Sequence, residues 1–321
     1  MAISYLNTNI GSCKTQAGAH EYMKELRAHL LAVGLDEITV TGAYDASEAG
    51  DVGQIPETQR QERYKKIYSP YMHFAFSDGR QSSNPLVVSF STVYGNFFDH
   101  EGDYDSGTYY SEIQCYAIRV RISQGIDVDG EPLAATLNTN NTGGRDDRGG
   151  SYKDYYALAD RTGLGSFVRY NGDSLTIFLD YNGIYNTQGG QRGAVQLHIE
   201  RLTGNDFAVM PLTAGSSSAT QRVYYSSGAS IYSQTALQSR VAGSLNLYSK
   251  GVAVIAPIYA PISDGSLFML KRVFTVPADI GADKAIFTMD FTGEEKPYLL
   301  IKENSMKPHD AGTAWLYEWE Q

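Results

Sequence analysis

Apolar and polar positions alternate along most of this chain, and the alternation is interrupted at intervals by Asn-Gly or Asp-Gly. A period of two marks half-buried β-strands. The interruptions fall at Asp78-Gly79, Asp129-Gly130, Asn171-Gly172, Asn182-Gly183 and Asp264-Gly265. Both central residues of a type I′ turn need positive φ, which Asn, Asp and Gly tolerate best, so each pair predicts a tight reversal between strands. The clearest case joins Ser166–Tyr170 through Asn171-Gly172 to Asp173–Tyr181. A second hairpin is expected where Ala194–Leu202 returns through Thr203–Asp206 into Phe207–Met210. Pro257–Ile262 and Ser266–Val276 flank Asp264-Gly265, and Ala285–Phe291 and Pro297–Lys302 flank Thr292–Glu295.

One stretch follows a different period. From Thr15 to Leu35, Ala19, Tyr22, Met23, Leu26, Leu30 and Val33 recur at three- and four-residue steps, which predicts an amphipathic helix. Thr15 suits its start and Gly34 its end. A strand is expected over Ile38–Tyr44, then a polar arm over Asp45–Arg63 with a helical turn near Gln59–Lys66. Further strands are expected over Tyr71–Ser77, Leu86–Val93, Ser111–Ser123 and Val252–Ile258. Short helices suit Lys153–Arg161 and Gln234–Leu245. Asn138–Gly150 and Thr213–Thr220 are polar, rich in Gly or Ser, and read as exposed loops. No fixed-period repeat is present, which argues against propellers and solenoids.

The fold class that follows is mainly β: an antiparallel sandwich or meander with one N-terminal amphipathic helix and few short helices. Length allows three regions: an α-β unit with an extended arm at 1–66, a main antiparallel β domain at 67–250, and a C-terminal hairpin region at 251–321 that could belong to the same domain. Composition adds one unusual feature. Tyr, at 24 copies, is twice as common as Phe at 12, which suits half-buried strands and interfaces where a ring packs and a hydroxyl stays wet.

A net charge of −10 disfavours nucleic acid as a partner, because phosphate contacts need clustered Lys and Arg. The N-terminus lacks a basic segment followed by an apolar block, and no window holds some twenty apolar residues, so neither a secretory signal nor a membrane-spanning helix is predicted. Cys13 and Cys115 stand far apart and read as free thiols, Cys115 within a strand.

Candidate chemistry is sparse. Asp99, Glu101, Asp103 and Asp105 place four carboxylates in seven residues, a density that can supply oxygen ligands to calcium, but they lack the spacing of a calcium loop and read better as a solvated acidic loop. Asp127–Glu131 repeats the theme, and there a turn is explanation enough. His20 and His29 are 2.5 helical turns apart on opposite faces and cannot share a metal. His198, between Leu197 and Ile199, reads as a satisfied strand residue. No Gly-x-Ser-x-Gly, His-Glu-x-x-His or phosphate-binding Gly-rich loop occurs. No cofactor and no catalytic residue is therefore predicted. Tyr109, Tyr110, Tyr224, Tyr225, Trp315 and Trp319 are candidates for an interaction surface, since aromatic planes stack on sugar faces; aromatic pairs in strands also serve as core.

Ala17–Leu35 resembles the opening of several virion structural proteins of tailed bacteriophages, in which a Leu-patterned helix runs into Gly-Trp and a strand. Leu26, Leu30 and Leu31 fill the apolar positions, and Leu35 stands where Trp is expected. Tyr110–Arg121 is similar to their strand reading Glu-Ile-Tyr-x-x-Ile-Arg, and Asp290–Ile301 to a closing hairpin of tail and neck components. The resemblance covers about a quarter of the chain. It implies a non-enzymatic particle component of the tail, neck or baseplate, assembled in the host cytoplasm, whose partners are further copies of itself and other virion proteins. The chain is richer in Arg than Lys, as assembly interfaces are. The alternatives are a carbohydrate-binding or host receptor-binding protein, with a glycan as partner, and a glycoside hydrolase, which needs two facing carboxylates.

Overall fold

In the computed structural model, Gln16–Ala32 form helix α1. Ala19, Tyr22, Met23, Leu26, Leu30 and Val33 are all buried, so the three- and four-residue spacing is the packed face. Gly34 ends the helix at φ 99. Its N–H donates to the Leu31 carbonyl (3.0 Å), and the Leu35 N–H reaches back to the Leu30 carbonyl (3.2 Å). These are the two bonds of a Schellman cap, and the buried pair Leu30 and Leu35 supplies its apolar contact. The residues described by the structure are 2–5, 16–40, 67–68, 70–99, 111–133, 155–158, 167–179, 185–186, 191–192, 195–204, 206–211, 222–225, 230–232, 255–261, 264, 266–277, 280–282, 285–290, 293–302 and 313–319.

The fold is mainly β, with antiparallel sheets and, among the described residues, one α-helix. Contacts divide the chain into two units: residues 1–198 with 211–213, and 199–210 with 214–321. In the first, β2 (Asp36–Ile38), β4 (Met72–Ala75), β5 (Val87–Asp99), β6 (Ser111–Ser123) and β7 (Tyr155–Leu158) lie side by side, with β3 (Ile67–Tyr68) also on β5. β5 and β6 pair without interruption from Val87↔Ser123 to Asp99↔Ser111, a ribbon roughly 40 Å long. The same unit holds β1 (Ala2–Tyr5), β8 (Phe167–Tyr170) and β9 (Ser174–Leu179), next to β12 (Val195–Arg201), which the division cuts after His198. β10 (Tyr185–Asn186) and β11 (Gln191–Arg192) make a two-stranded ribbon.

The second unit continues from β12 through β13 (Phe207–Pro211), most of which belongs to it, to β14 (Arg222–Tyr225) and β15 (Ser230–Tyr232). It also holds a five-stranded sheet in the order β16 (Ala256–Pro261), β17 (Leu267–Pro277), β20 (Thr313–Glu318), β19 (Glu295–Lys302) and β18 (Ile286–Asp290). Phe274, Val276, Tyr298, Leu300 and Leu316 form its core cluster.

Several expectations change. Residues 155–158 are a strand and not the expected helix: Tyr155–Leu158 pair with Val120–Ala117 of β6, and this pairing overrides local helix preference. The strand after α1 runs over Asp36–Ile38 and so starts before the expected Ile38, because its register on Ala75–His73 begins directly after the helix cap; 41–44 lie outside the described residues. The contact division falls after His198, and β1 pairs with β8 and β2 with β4 within the first unit. The segments 45–63, 138–150, 213–220 and 234–245 lie outside the described residues.

The expected turns separate into kinds. At Asn171-Gly172 the Asn171 N–H donates to the Ser174 carbonyl, which moves the two-residue loop one position on, to Gly172-Asp173. Gly172 (φ 88) then holds the first central position, where a primed turn requires positive φ. Gly130 (φ 80) closes a three-residue loop between Asp127 and Glu131, and Gly293 (φ 85) sits in the β18–β19 loop. Asp264 stitches the β16–β17 loop: its carboxylate accepts from the Ser266 hydroxyl (2.6 Å) and N–H (2.8 Å), which hold it below the usual carboxylate range. Asp78-Gly79 is not a two-residue reversal; successive bonds from Gln81 to Asp78 and from Asn84 to Arg80 curl residues 78–84 into a longer connection. Asn182-Gly183 lies outside the described residues.

The Tyr170 hydroxyl joins four of these pieces. It accepts from the Ser77 N–H (2.9 Å) and donates to the Gly172 carbonyl (2.9 Å), while the Ser77 hydroxyl donates to the Gly34 carbonyl (2.8 Å). Its ring meets Phe76 edge-on at 5.2 Å. Tyr170→Phe is therefore expected to lower stability by about 1–2 kcal/mol, because it leaves the Ser77 donor and the Gly172 acceptor without their partner. Urea denaturation followed by tryptophan-independent far-UV signal checks this, and an unchanged midpoint would show the hydroxyl to be idle.

Candidate functional site

The acidic run begins at the end of a strand. Asp99 is the last residue of β5, opposite Ser111, whereas Glu101, Asp103 and Asp105 lie outside the described residues. Among the described residues no group of three or more His, Cys, Asp or Glu side chains is placed to hold a metal ion. Tyr109 and Tyr110 are likewise outside. Tyr224 and Tyr225 stand in β14, opposite Val209 and Ala208 of β13.

Trp315 and Trp319 are not a surface. They are 1% and 3% exposed, with Leu316 and Tyr317 between them equally enclosed. The reason is position in the sheet: β20 pairs with β17 on one side and β19 on the other, and the Trp319 N–H donates to the Pro297 carbonyl at 2.7 Å. A central strand covered on both faces reads as a continuous apolar run. The stretch Ala314-Trp-Leu-Tyr carries that signal, since no polar residue interrupts it before Glu318.

The second acidic segment is a turn. Asp127 Oδ1 accepts from the N–H groups of Asp129 (2.9 Å) and Glu131 (2.8 Å), and Val128 at its tip is 91% exposed. Beneath it lies a buried polar pair that the sequence reading missed. His73 of β4 and Ser89 of β5 face each other in register, both wholly buried, and His73 Nδ1 shares a 2.8 Å hydrogen bond with Ser89 Oγ. His73 Nε2 comes within 4.0 Å of where a Cβ on Gly130 would sit. Tyr71 lies 5.8 Å from the imidazole, and the Arg121 guanidinium sits over the Tyr71 ring at 5.9 Å.

Hydroxyl and imidazole at this distance have the local form of a nucleophile and its base. Both groups are wholly buried, and the bond clasps β4 to β5. The signal was faint because all four residues of β4 are buried, which hides the face that a histidine would otherwise mark.

Two more polar groups do similar work. In the first unit, Arg169 of β8 stands opposite Thr176 of β9, whose hydroxyl is 3.0 Å from His198 Nδ1 of β12; all three side chains are buried. His198 is thus a satisfied core residue. In the second, the buried Glu200 accepts from the Lys271 N–H (3.0 Å), and the buried Glu318 takes Arg272 Nη1 at 2.9 Å and Lys296 Nζ at 3.6 Å. Each carboxylate links strands.

Burial pushes the His73 imidazole below its ordinary value, with the Gly130 backbone and the Asp127 charge pulling part of the way back. The unfolded chain therefore binds this proton more readily than the native one. His73 adds stability above the unfolded pKa of about 6.5, and that contribution falls as pH drops from there through the lower native pKa. In urea titrations between pH 7.5 and 5, His73→Gln is expected to flatten the acid loss of stability; a parallel pH profile would remove His73 as its source. Trp315→Ala is expected to cost about 3–5 kcal/mol, seen as a lower unfolding midpoint, because it empties a core position.

No protein-family model matches the chain, and neither a curated protein nor a solved structure matches it.

Proposed function

We propose that this chain is a non-enzymatic structural component of a tailed-phage particle, in the tail, neck or baseplate, that assembles symmetrically with itself and contacts neighbouring virion proteins. One observation carries the reading: α1 closes on the Gly34 cap and passes directly into β2, the helix–Gly–strand succession on which the resemblance rests. The other two resembling segments fall largely on β6 and on the β18–β19 hairpin. An antiparallel sandwich or meander belongs to the same reading, as does assembly in the host cytoplasm. The interior polar groups described above support it too, because each links strands within the chain. Such a protein acts through surfaces and strand edges.

The carbohydrate-binding and receptor-binding alternative loses Trp315 and Trp319 to the core and rests on Tyr109, Tyr110, Tyr224 and Tyr225.

Size-exclusion chromatography with light scattering is expected to give a homo-oligomer of fixed stoichiometry, and mass spectrometry of purified particles to find its peptides. A stable monomer absent from every particle preparation would sink the proposal.

A further inference from the structure

The two edges of the five-stranded sheet are built differently. β16 carries Pro257 and Pro261 and a register shift between Pro257 and Tyr259, the devices by which natural sheets blunt an edge. β18, reading Ile-Phe-Thr-Met-Asp, has no proline, no lysine and an unbroken register on β19. Among the described residues nothing pairs with its far side.

The ladder fixes which peptides face outward. The Leu300 N–H donates to the Ala285 carbonyl (2.9 Å), so in the alternation of an antiparallel pair Ala285, Phe287 and Met289 face β19. Ile286 and Thr288 then point their N–H and C=O groups away from it. Pro297 agrees with this: it stands opposite Thr288, has no N–H, and gives its carbonyl to Trp319 on the β20 side. The side chains follow the same alternation. Ile286 (49% exposed) and Thr288 face solvent, while Phe287 and Met289 pack against the core cluster. The Phe287 ring is held closely, its Cζ 2.6 Å from where a Cβ on Gly281 would sit.

We propose that β18 is a self-pairing edge, taking β18 of a second copy of this chain antiparallel about a two-fold axis at Thr288. This deepens the assembly reading and rests on it. The strand's own sequence is complementary to its reverse: Thr288 meets Thr288 of the second copy, and Phe287 meets its Met289 on the core side. Threonine pairs and aromatic–methionine contacts both stabilise such seams. Ile286 meets Asp290 of the second copy, so no like charges are opposed. The seam joins two five-stranded sheets into one, with the apolar layer of Phe287 and Met289 continuous across it. Five residues make a modest contact, so the pair is concentration-dependent.

The test uses the full chain in sedimentation velocity over a wide concentration range, comparing the parent with Thr288→Pro and Ile286→Lys. Thr288→Pro removes an outward donor that the β19 ladder does not use, and Ile286→Lys adds a gatekeeper charge at an exposed site. Far-UV circular dichroism establishes that each variant is folded. Both are expected to weaken self-association by about tenfold or more, since each copy loses its contact. Thr288→Cys, treated with a short bis-maleimide, is expected to give a covalent dimer above the background from Cys13 and Cys115. Oligomers indifferent to both folded variants, with no added cross-linking, overturn the edge and leave the assembly reading standing. A parent chain monomeric at every concentration overturns both. Pairing that depends on β18 in a chain never found in particles supports the edge and removes the phage reading.

Discussion

The hydroxyl of Tyr170 sets the geometry of the first unit. It stands at the end of β8, accepts the Ser77 N–H just beyond β4, and donates to the turn that starts β9; Ser77 in turn holds the helix cap through Gly34. Two sheets therefore meet through one oxygen, and the Ser77 hydroxyl extends the link to the helix end. Each contributing peptide sits where its own element has stopped offering a partner: a helix C-terminus, a strand exit and a tight turn. Such groups cost free energy when enclosed without a hydrogen bond, so the phenol satisfies two of them, the Ser77 N–H and the Gly172 carbonyl, and the Ser77 hydroxyl satisfies the third at Gly34. The positive φ of Gly34 and Gly172 matters for the same reason, since both glycines bring their carbonyls toward this point.

The polar interior follows a consistent pattern. His73 with Ser89, and Thr176 with His198, join neighbouring strands, and Glu200 and Glu318 accept donors from strands other than their own. In the two imidazole–hydroxyl pairs the hydrogen bond joins neighbouring strands and so specifies pairing partner and register. Burial makes these bonds exacting, because a strand slipped by one residue would carry the polar group away from its partner and toward the opposite face.

How much was legible depended on how local the determining interaction was. Five buried positions of α1, the buried Val33 just beyond it and the Gly34 end could be read because helix period and cap are properties of a few adjacent residues. Strand β6 was legible to the residue. The turn at Asn171-Gly172 was found, yet its centre moved by one position, because Asn171 stays in the ladder and lends its side-chain oxygen to the Ser174 N–H. What failed was decided at a distance. Tyr155–Leu158 became a strand through pairing with β6, β1 was claimed by β8, and the His73–Ser89 pair exists only because β4 lies beside β5.

Trp315 illustrates the same limit and explains the second unit's sheet. Hairpins β16–β17 and β18–β19 are each local, but no ladder joins them directly; β20, the last described strand, lies between them, and Phe274 of β17 meets Tyr298 of β19 edge-on at 5.6 Å. An aromatic run that looks like a platform when read alone is instead the wedge that makes two ribbons one sheet. Its burial on both faces supplies the driving force for that insertion, while Glu318 at its end draws Arg272 from one ribbon and Lys296 from the other. Inserting a strand into the centre also dictates where the edges fall: the outer strands of both hairpins are left at the rim. One rim strand carries prolines and a bulge, and the other carries a regular, uncharged run from Ile286 to Met289. The inequality of the edges is thus a consequence of the C-terminal insertion combined with different local sequence. Paired with its own reverse, the unblocked rim repeats between molecules the kind of contact that β20 makes within one.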